Sequence, residues 1–363
     1  MKHILPLTSL RFLFSLMVFL SHLNLLIKNT QNTFLKWIDD TIFYEGYLGV
    51  SFFFILSGFI LCYSYQDRFL NNSVSKSSFL LNRFTRIYPL HLLTLILSFP
   101  LVFYSIEGLD ELMKTYMKLF FNITLTQSFI PLNTFYFSFN SPSWSLSNEL
   151  FFYLITPFLF LKLSKLNFSR ILVHIFTFLL IILIGVNIIP EEYHHRVFYI
   201  NPFVRLFDFI MGIFLFYVFK NIKKSPSFLN STLLEIGSVV IFVLFFSFHD
   251  EVPKVYRYSI YYWIPMFIVI LIFSISRGFF SSLLSNRLFV YLGKISFGFY
   301  LIHQLVVRYF SVINRRLDLN IDDLTKIILV SVISLLLSVL SFEFFENRVR
   351  EPIKSFIKRR FNI

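Results

Sequence analysis

Alanine is absent from this 363-residue chain, glycine occurs only ten times and cysteine once. The lone cysteine, Cys62, lies inside an apolar run, which excludes an intrachain disulfide and a cysteine metal site. Without alanine, closely approaching helices must rely on glycine and serine, as in Ser57-Gly58-Phe59 and Ser296-Phe297-Gly298-Phe299. Charge is scarce as well: Asp, Glu, Lys and Arg make up 15% of the residues, against 56% apolar and 52 phenylalanines. Mean hydropathy is +0.70. A soluble domain of this length cannot hide so much apolar surface, so an all-α polytopic membrane protein is expected. The net charge of +13 does not indicate a nucleic-acid partner, because the basic residues gather in short runs between apolar stretches. Residues 1–27 lack a small-x-small cleavage site and do not read as a removed signal peptide.

Ten spans can be read, at 7–27, 47–66, 87–106, 144–162, 171–189, 203–219, 232–248, 259–276, 288–310 and 325–345. With both termini cytoplasmic, the inner loops carry Arg68, Arg83, Arg86, Lys162, Lys165, Lys220, Lys223, Lys224, Arg277 and Arg287. The outer loops carry acids such as Asp39, Glu107, Asp110, Glu191, Asp250 and Asp322. This is the positive-inside pattern. Residues 112–130 contain Lys114, Lys118 and Asn122, and a crossing there would move every later basic loop outside. An interfacial or re-entrant helix on the outer side is expected instead. One membrane domain, 1–346, is then followed by a short basic cytoplasmic tail, 347–363.

Arg11 and His22 stand within the first span. Eleven residues are almost three helical turns, which puts both side chains on one face about 16 Å apart. Ionisable groups at such depth face the protein interior or a polar cavity and mark a site by default. The second span offers a smooth edge of Gly46, Gly49, Ser57 and Gly58, for close helix packing or for a ligand. Arg83 and Arg86, three apart, project from one face at the expected start of the third span. Two guanidiniums at a helix N-terminus suit a phosphate, with positive-inside anchoring as the plainer reading.

In SPSWSLSNELFFYLITP, Ser145 or Ser147 is expected to cap an inward-running helix with Glu149 in its first turn. Glu149 reads either as an N-terminal charge complementing the helix dipole or as a partner for His22. Arg205 and Asp208, at i,i+3, read first as an intrahelical ion pair. His303 reads as a hydrogen-bonded core histidine and a second candidate base. The loop Glu191–His195 only superficially suggests a metal cluster, and no metal is expected.

Together these pieces resemble the membrane acyltransferases of the acyltransferase-3 type, which O-acetylate bacterial cell-surface polysaccharides. The resemblance rests on Arg11-x10-His22, GVSFFFILSGF at 49–59, Arg83-x-x-Arg86, WSLSNE at 144–149, RLFDFIMG and LGKISFGFYLIH. It covers nearly the whole chain and implies ten spans in the inner membrane. The implied reaction moves an acyl group, acetyl foremost, from cytoplasmic acyl-CoA to a hydroxyl of a cell-surface or lipid-linked glycan. Arg83 and Arg86 would bind the CoA phosphates, with His22, Glu149 and Arg11 as the catalytic group. Many such proteins carry a C-terminal extracytoplasmic hydrolase-like domain; here a basic tail is read instead. The transfer would then finish in the membrane domain or pass to a separate extracytoplasmic partner, and a homo-oligomer is compatible with it. The rival class is a lipid-linked sugar transporter or flippase without acyl-transfer chemistry, which would more naturally show pseudo-symmetric halves.

Overall fold

The computed structural model describes residues 4–28, 30–104, 106, 108–165, 167–222, 226–319 and 321–361. Glu107, Lys223 and Lys224, used above for orientation, lie outside the described residues. The chain is 86% helical, with no strand among the described residues. The principal helices are α1 (Leu5–His22), α2 (Leu48–Leu70), α3 (Lys76–Leu97), α4 (Leu109–Ile123), α5 (Trp144–Leu163) and α6 (Phe168–Ile188). They continue as α7 (Pro202–Lys220), α8 (Phe228–Ser247), α9 (Ile260–Ile275), α10 (Arg287–Arg316), α11 (Asp323–Leu340) and α12 (Asn347–Phe361).

Among the described residues ten helical stretches are long and apolar enough to cross a membrane, and each overlaps one of the ten spans read from the sequence. The chain is a multi-pass membrane protein. Helix α4 is not among the ten. Its Leu109, Met113, Tyr116, Met117 and Phe120 are exposed while Thr115 and Asn122 are buried. That exposed apolar stripe suits a helix lying in the bilayer interface.

Two local expectations need correction. Helix α3 begins at Lys76, so Arg83 and Arg86 lie inside it and not at its N-terminus. Hydropathy locates the apolar core of a span; it does not see polar turns that continue the helix beyond it. Helix α5 begins at Trp144, as does the span read from the sequence, but its entry differs from the expected serine cap. A 3₁₀ turn at Ser141–Ser143 leads into it, so Glu149 stands in the second turn and the Ser145 and Ser147 side chains do not cap it.

The helices gather into two compact units. The first comprises Met1–Leu10, Ser51–Leu80 and Asn148–Val290. Here glycine brings two backbones into contact: a Cβ on Gly58 would lie 2.0 Å from the Phe209 carbonyl oxygen, and one on Gly212 1.9 Å from that of Ile55. Arg205 and Asp208 are fully buried nearby and pair at 2.8 Å. Arg205 also donates to Ser51 Oγ at 2.8 Å and to the Tyr258 carbonyl at 2.7 Å, and Trp263 donates to Asp208 Oδ1 at 2.6 Å. Such satisfaction is what a buried ion pair needs to offset desolvation. This is the ion-pair reading of Arg205 and Asp208, made structural.

The second unit comprises Arg11–Val50, Leu81–Ser147 and Tyr291–Ile363. Gly46 and Gly49 press against the Met17 and Phe14 carbonyls of α1, where a Cβ would meet oxygen at 1.9 Å and 2.5 Å. Its core joins Phe19 and Leu23 of α1 with Phe299, Ile302, Val306 and Val307 of α10 and Val330 of α11. That packing fixes the rotation of α10 against α1, and so fixes which polar residues of the two helices meet.

Candidate active site

Within the second unit the polar side chains of α1 meet partners from distant parts of the chain. His22 closes α1 and is half-buried. Its Nδ1 lies 2.9 Å from the Val18 carbonyl one turn earlier and 3.2 Å from His303 Nε2. His303 is fully buried in α10, and its own Nδ1 lies 3.0 Å from the Phe299 carbonyl. The rings of Phe19, Phe299 and Tyr300 surround it at 5.8–6.1 Å between centroids. The sequence reading of His303 as a hydrogen-bonded core histidine holds, and its partner is the histidine singled out for chemistry.

Residues 139–147, which lead into and begin α5, are tied to the same helix. Asn140 Nδ2 donates to the Leu301 carbonyl at 2.9 Å, and Arg308 donates to the Phe139 carbonyl. Ser145 Oγ stands 2.8 Å from Tyr300 Oη, one turn before His303, and both hydroxyls reach the Pro142 carbonyl. Ser147 Oγ meets Ser128 Oγ at 2.6 Å, and Gln127 donates to the Ser143 carbonyl at 3.1 Å. Ser145 of the WSLSNE segment thus ties the start of α5 to α10, and Ser147 ties it to the 127–129 turn. With Asn140 and the Phe139 carbonyl, Ser145 braces the histidine-bearing helix.

At the other end of the Arg11–His22 face is a carboxylate that the sequence reading left unassigned. The charge of Glu346 faces both Arg86 and Arg11. Glu346 ends a wide π-helical turn, Ser341–Glu346, between α11 and α12, and Ser341 donates to its Oε1 at 3.4 Å. Such turns insert an extra residue and re-aim side chains, often at functional sites. Gly298 makes room for it, since a Cβ there would lie 2.9 Å from Glu346 Oε1. Glycine in SFGF therefore accommodates a carboxylate, beyond the helix approach expected of it. Arg83, one turn before Arg86, is half-buried on the same helix.

Glu149 belongs to the first unit. Ser57 donates to its Oε1 at 3.4 Å and Tyr153 donates to the same oxygen. The carboxylate is half-buried and held between two hydroxyls. Ser57 thus serves a carboxylate, whereas Gly46, Gly49 and Gly58 of the same smooth edge serve packing. Among the described residues no group of three or more His, Cys, Asp or Glu side chains is arranged to hold a metal ion.

Residues 7–343 match the family model described as an acyltransferase domain. Similar proteins include the acyltransferase MdmB of Streptomyces mycarofaciens, 28% identical over 73% of this chain and 69% of its own length. The peptidoglycan O-acetyltransferase OatA of Listeria monocytogenes is 28% identical over 84% of this chain and 51% of its own. For the putative peptidoglycan O-acetyltransferase YrhL of Bacillus subtilis the figures are 28%, 87% and 52%. The chain spans about half the length of these last two relatives. No solved structure matches it significantly.

Proposed function

This chain belongs to the acyltransferase family, and on that premise we propose an integral-membrane O-acyltransferase of the inner membrane. It moves an acyl group, acetyl foremost, from cytoplasmic acyl-CoA to a hydroxyl of a cell-surface or lipid-linked glycan. Two of the relatives named here are called peptidoglycan O-acetyltransferases, one of them putatively, which favours a cell-wall glycan as acceptor. The observation that carries the proposal is the content of the second unit. An imidazole closes α1 at one end, and arginines from α1 and α3 gather at the other.

In this reading both termini are cytoplasmic. Arg83 and Arg86 hold the CoA phosphates, where guanidinium forks match phosphate oxygens. The pantetheine arm runs along α1 past Arg11, and the thioester reaches His22. His22 takes the proton of the acceptor hydroxyl as its oxygen attacks the thioester carbonyl carbon. The carbon–sulfur bond then breaks, and the proton passes from His22 to the departing thiolate. An acyl-histidine intermediate is the covalent variant of the same chemistry. Arg11 stabilises charge along the path, and Glu149, held by Ser57 and Tyr153, is the third residue assigned to catalysis.

The test compares surface glycans of cells with and without the protein by mass spectrometry. A lost acetyl or other short-acyl mass is expected. Unchanged glycans, together with a purified protein that neither binds CoA nor hydrolyses acetyl-CoA, would overturn the proposal in favour of a transporter.

A further inference from the structure

We propose that His303 is a positioning residue that holds the Nδ1–H of His22 and leaves the Nε2 lone pair of His22 as the base. The inference rests on the acyltransferase reading of His22. Its own evidence is the geometry of one α10–α1 contact and of the carbonyl partner that each imidazole has on its own helix.

A carbonyl oxygen only accepts. The Val18 carbonyl 2.9 Å from His22 Nδ1 therefore requires a proton on that nitrogen. The same logic applies to His303, whose Nδ1 lies 3.0 Å from the Phe299 carbonyl and must carry a proton too. What remains on His303 is Nε2, and it stands 3.2 Å from the already protonated His22 Nδ1. Only a bare lone pair makes that contact attractive. His22 Nδ1–H is thus shared between the Val18 carbonyl and His303 Nε2, and the one nitrogen of His22 left to accept a proton is Nε2.

The arrangement has the logic of an oriented base, with a fully buried imidazole where a carboxylate is more usual. When Nε2 takes the hydroxyl proton, Nδ1–H becomes a charged donor and its bond to His303 strengthens. When the proton leaves with the thiolate, the bond relaxes, and His303 itself neither gains nor loses a proton. The cage of Phe19, Phe299 and Tyr300 keeps His303 in one rotamer, and the Tyr300–Ser145 contact ties its helix to the start of α5. A lone core histidine would need none of this alignment toward a second imidazole 281 residues away in sequence.

The experiment uses the full chain in nanodiscs, with acetyl-CoA as the probe. His303→Leu fills the space without an acceptor; His303→Gln restores one through its amide oxygen. His303→Leu should lower kcat for acetyl-CoA turnover about tenfold to a hundredfold, the value of a hydrogen bond to a charged group. Its KM should stay within about twofold of the parent, because the phosphates are held elsewhere. His303→Gln should recover most of the loss. Nitrogen-15 spectra of histidine-labelled protein, assigned against His22→Gln, should show His22 of the parent protonated on Nδ1, and His303→Leu should add the Nε2–H form. A parent His22 protonated on Nε2 would overturn the proposal, as would a folded His303→Gln no better than His303→Leu. If no variant turns over acetyl-CoA, the functional reading fails, and the spectra of the parent still decide the hydrogen bond.

Discussion

Removing the Arg86 guanidinium should weaken acyl-CoA binding, and neutralising Glu346 should strengthen it. Arg86 lies inside α3, half-buried, one turn after Arg83. A charge-assisted contact with a phosphate is worth about 1.5–3 kcal/mol, or roughly tenfold to a hundredfold in affinity. Arg86 already faces Glu346, which also faces Arg11, so an incoming phosphate competes with an internal carboxylate. The loss in Arg86→Ala should therefore sit near the tenfold end. Glu346→Gln keeps the shape and removes the competing charge. Two unit charges about 8 Å apart at an effective dielectric of about 20 interact by roughly 2 kcal/mol. Realising half of that would tighten CoA binding about fivefold. Both variants are measured by CoA titration of the purified protein, calorimetrically and by thermal shift, with insertion checked separately. Affinities that move in the same direction, or not at all, would show that these arginines anchor topology and do not read phosphate.

Three further outcomes are expected. His22→Ala should reduce acyl transfer by about 10²–10⁴, the usual cost of losing a general base, while CoA binding stays near parental; transfer at the parental rate would place the chemistry elsewhere. A cysteine introduced at Asn133, in a chain whose Cys62 is replaced by serine, should react with an impermeant thiol reagent on intact cells if residues 107–142 lie outside; protection would mean that the orientation fails from that segment on. In the helical turns between α6 and α7, burial first and then nearby Lys254 push His195 down to about 4 from its ordinary 6.5. The unfolded chain then binds the extra proton between about pH 6.5 and 4, so this group's contribution to stability is full above that window and fades as pH falls through it. His195→Asn should flatten the decline in Tm between pH 7 and pH 4.5, and an unchanged slope would assign the decline to other groups.

What the sequence discloses and what it hides divide by the range of the interaction. Span positions depend on local hydropathy alone, so all ten are legible without knowing any tertiary contact. The helix start of α3 is less so, because polar residues from Lys76 onward extend a helix whose apolar core begins near residue 87, and the 3₁₀ turn at Ser141–Ser143 hides how α5 is entered. An ionisable residue within an apolar span announces that it has a partner, since in hydrocarbon it has no alternative. Which partner it has depends on how one helix is rotated against another, and a single sequence holds no direct record of that angle. Thus Arg11 and His22 stand out at once, but the π-helical turn that aims Glu346 at Arg11 does not, and neither does the α10 rotation that brings His303 to His22. Gly298 was the available clue. With no alanine in the chain and only ten glycines, a glycine within a span invites the question of what comes close to it, and at Gly298 the answer is a carboxylate.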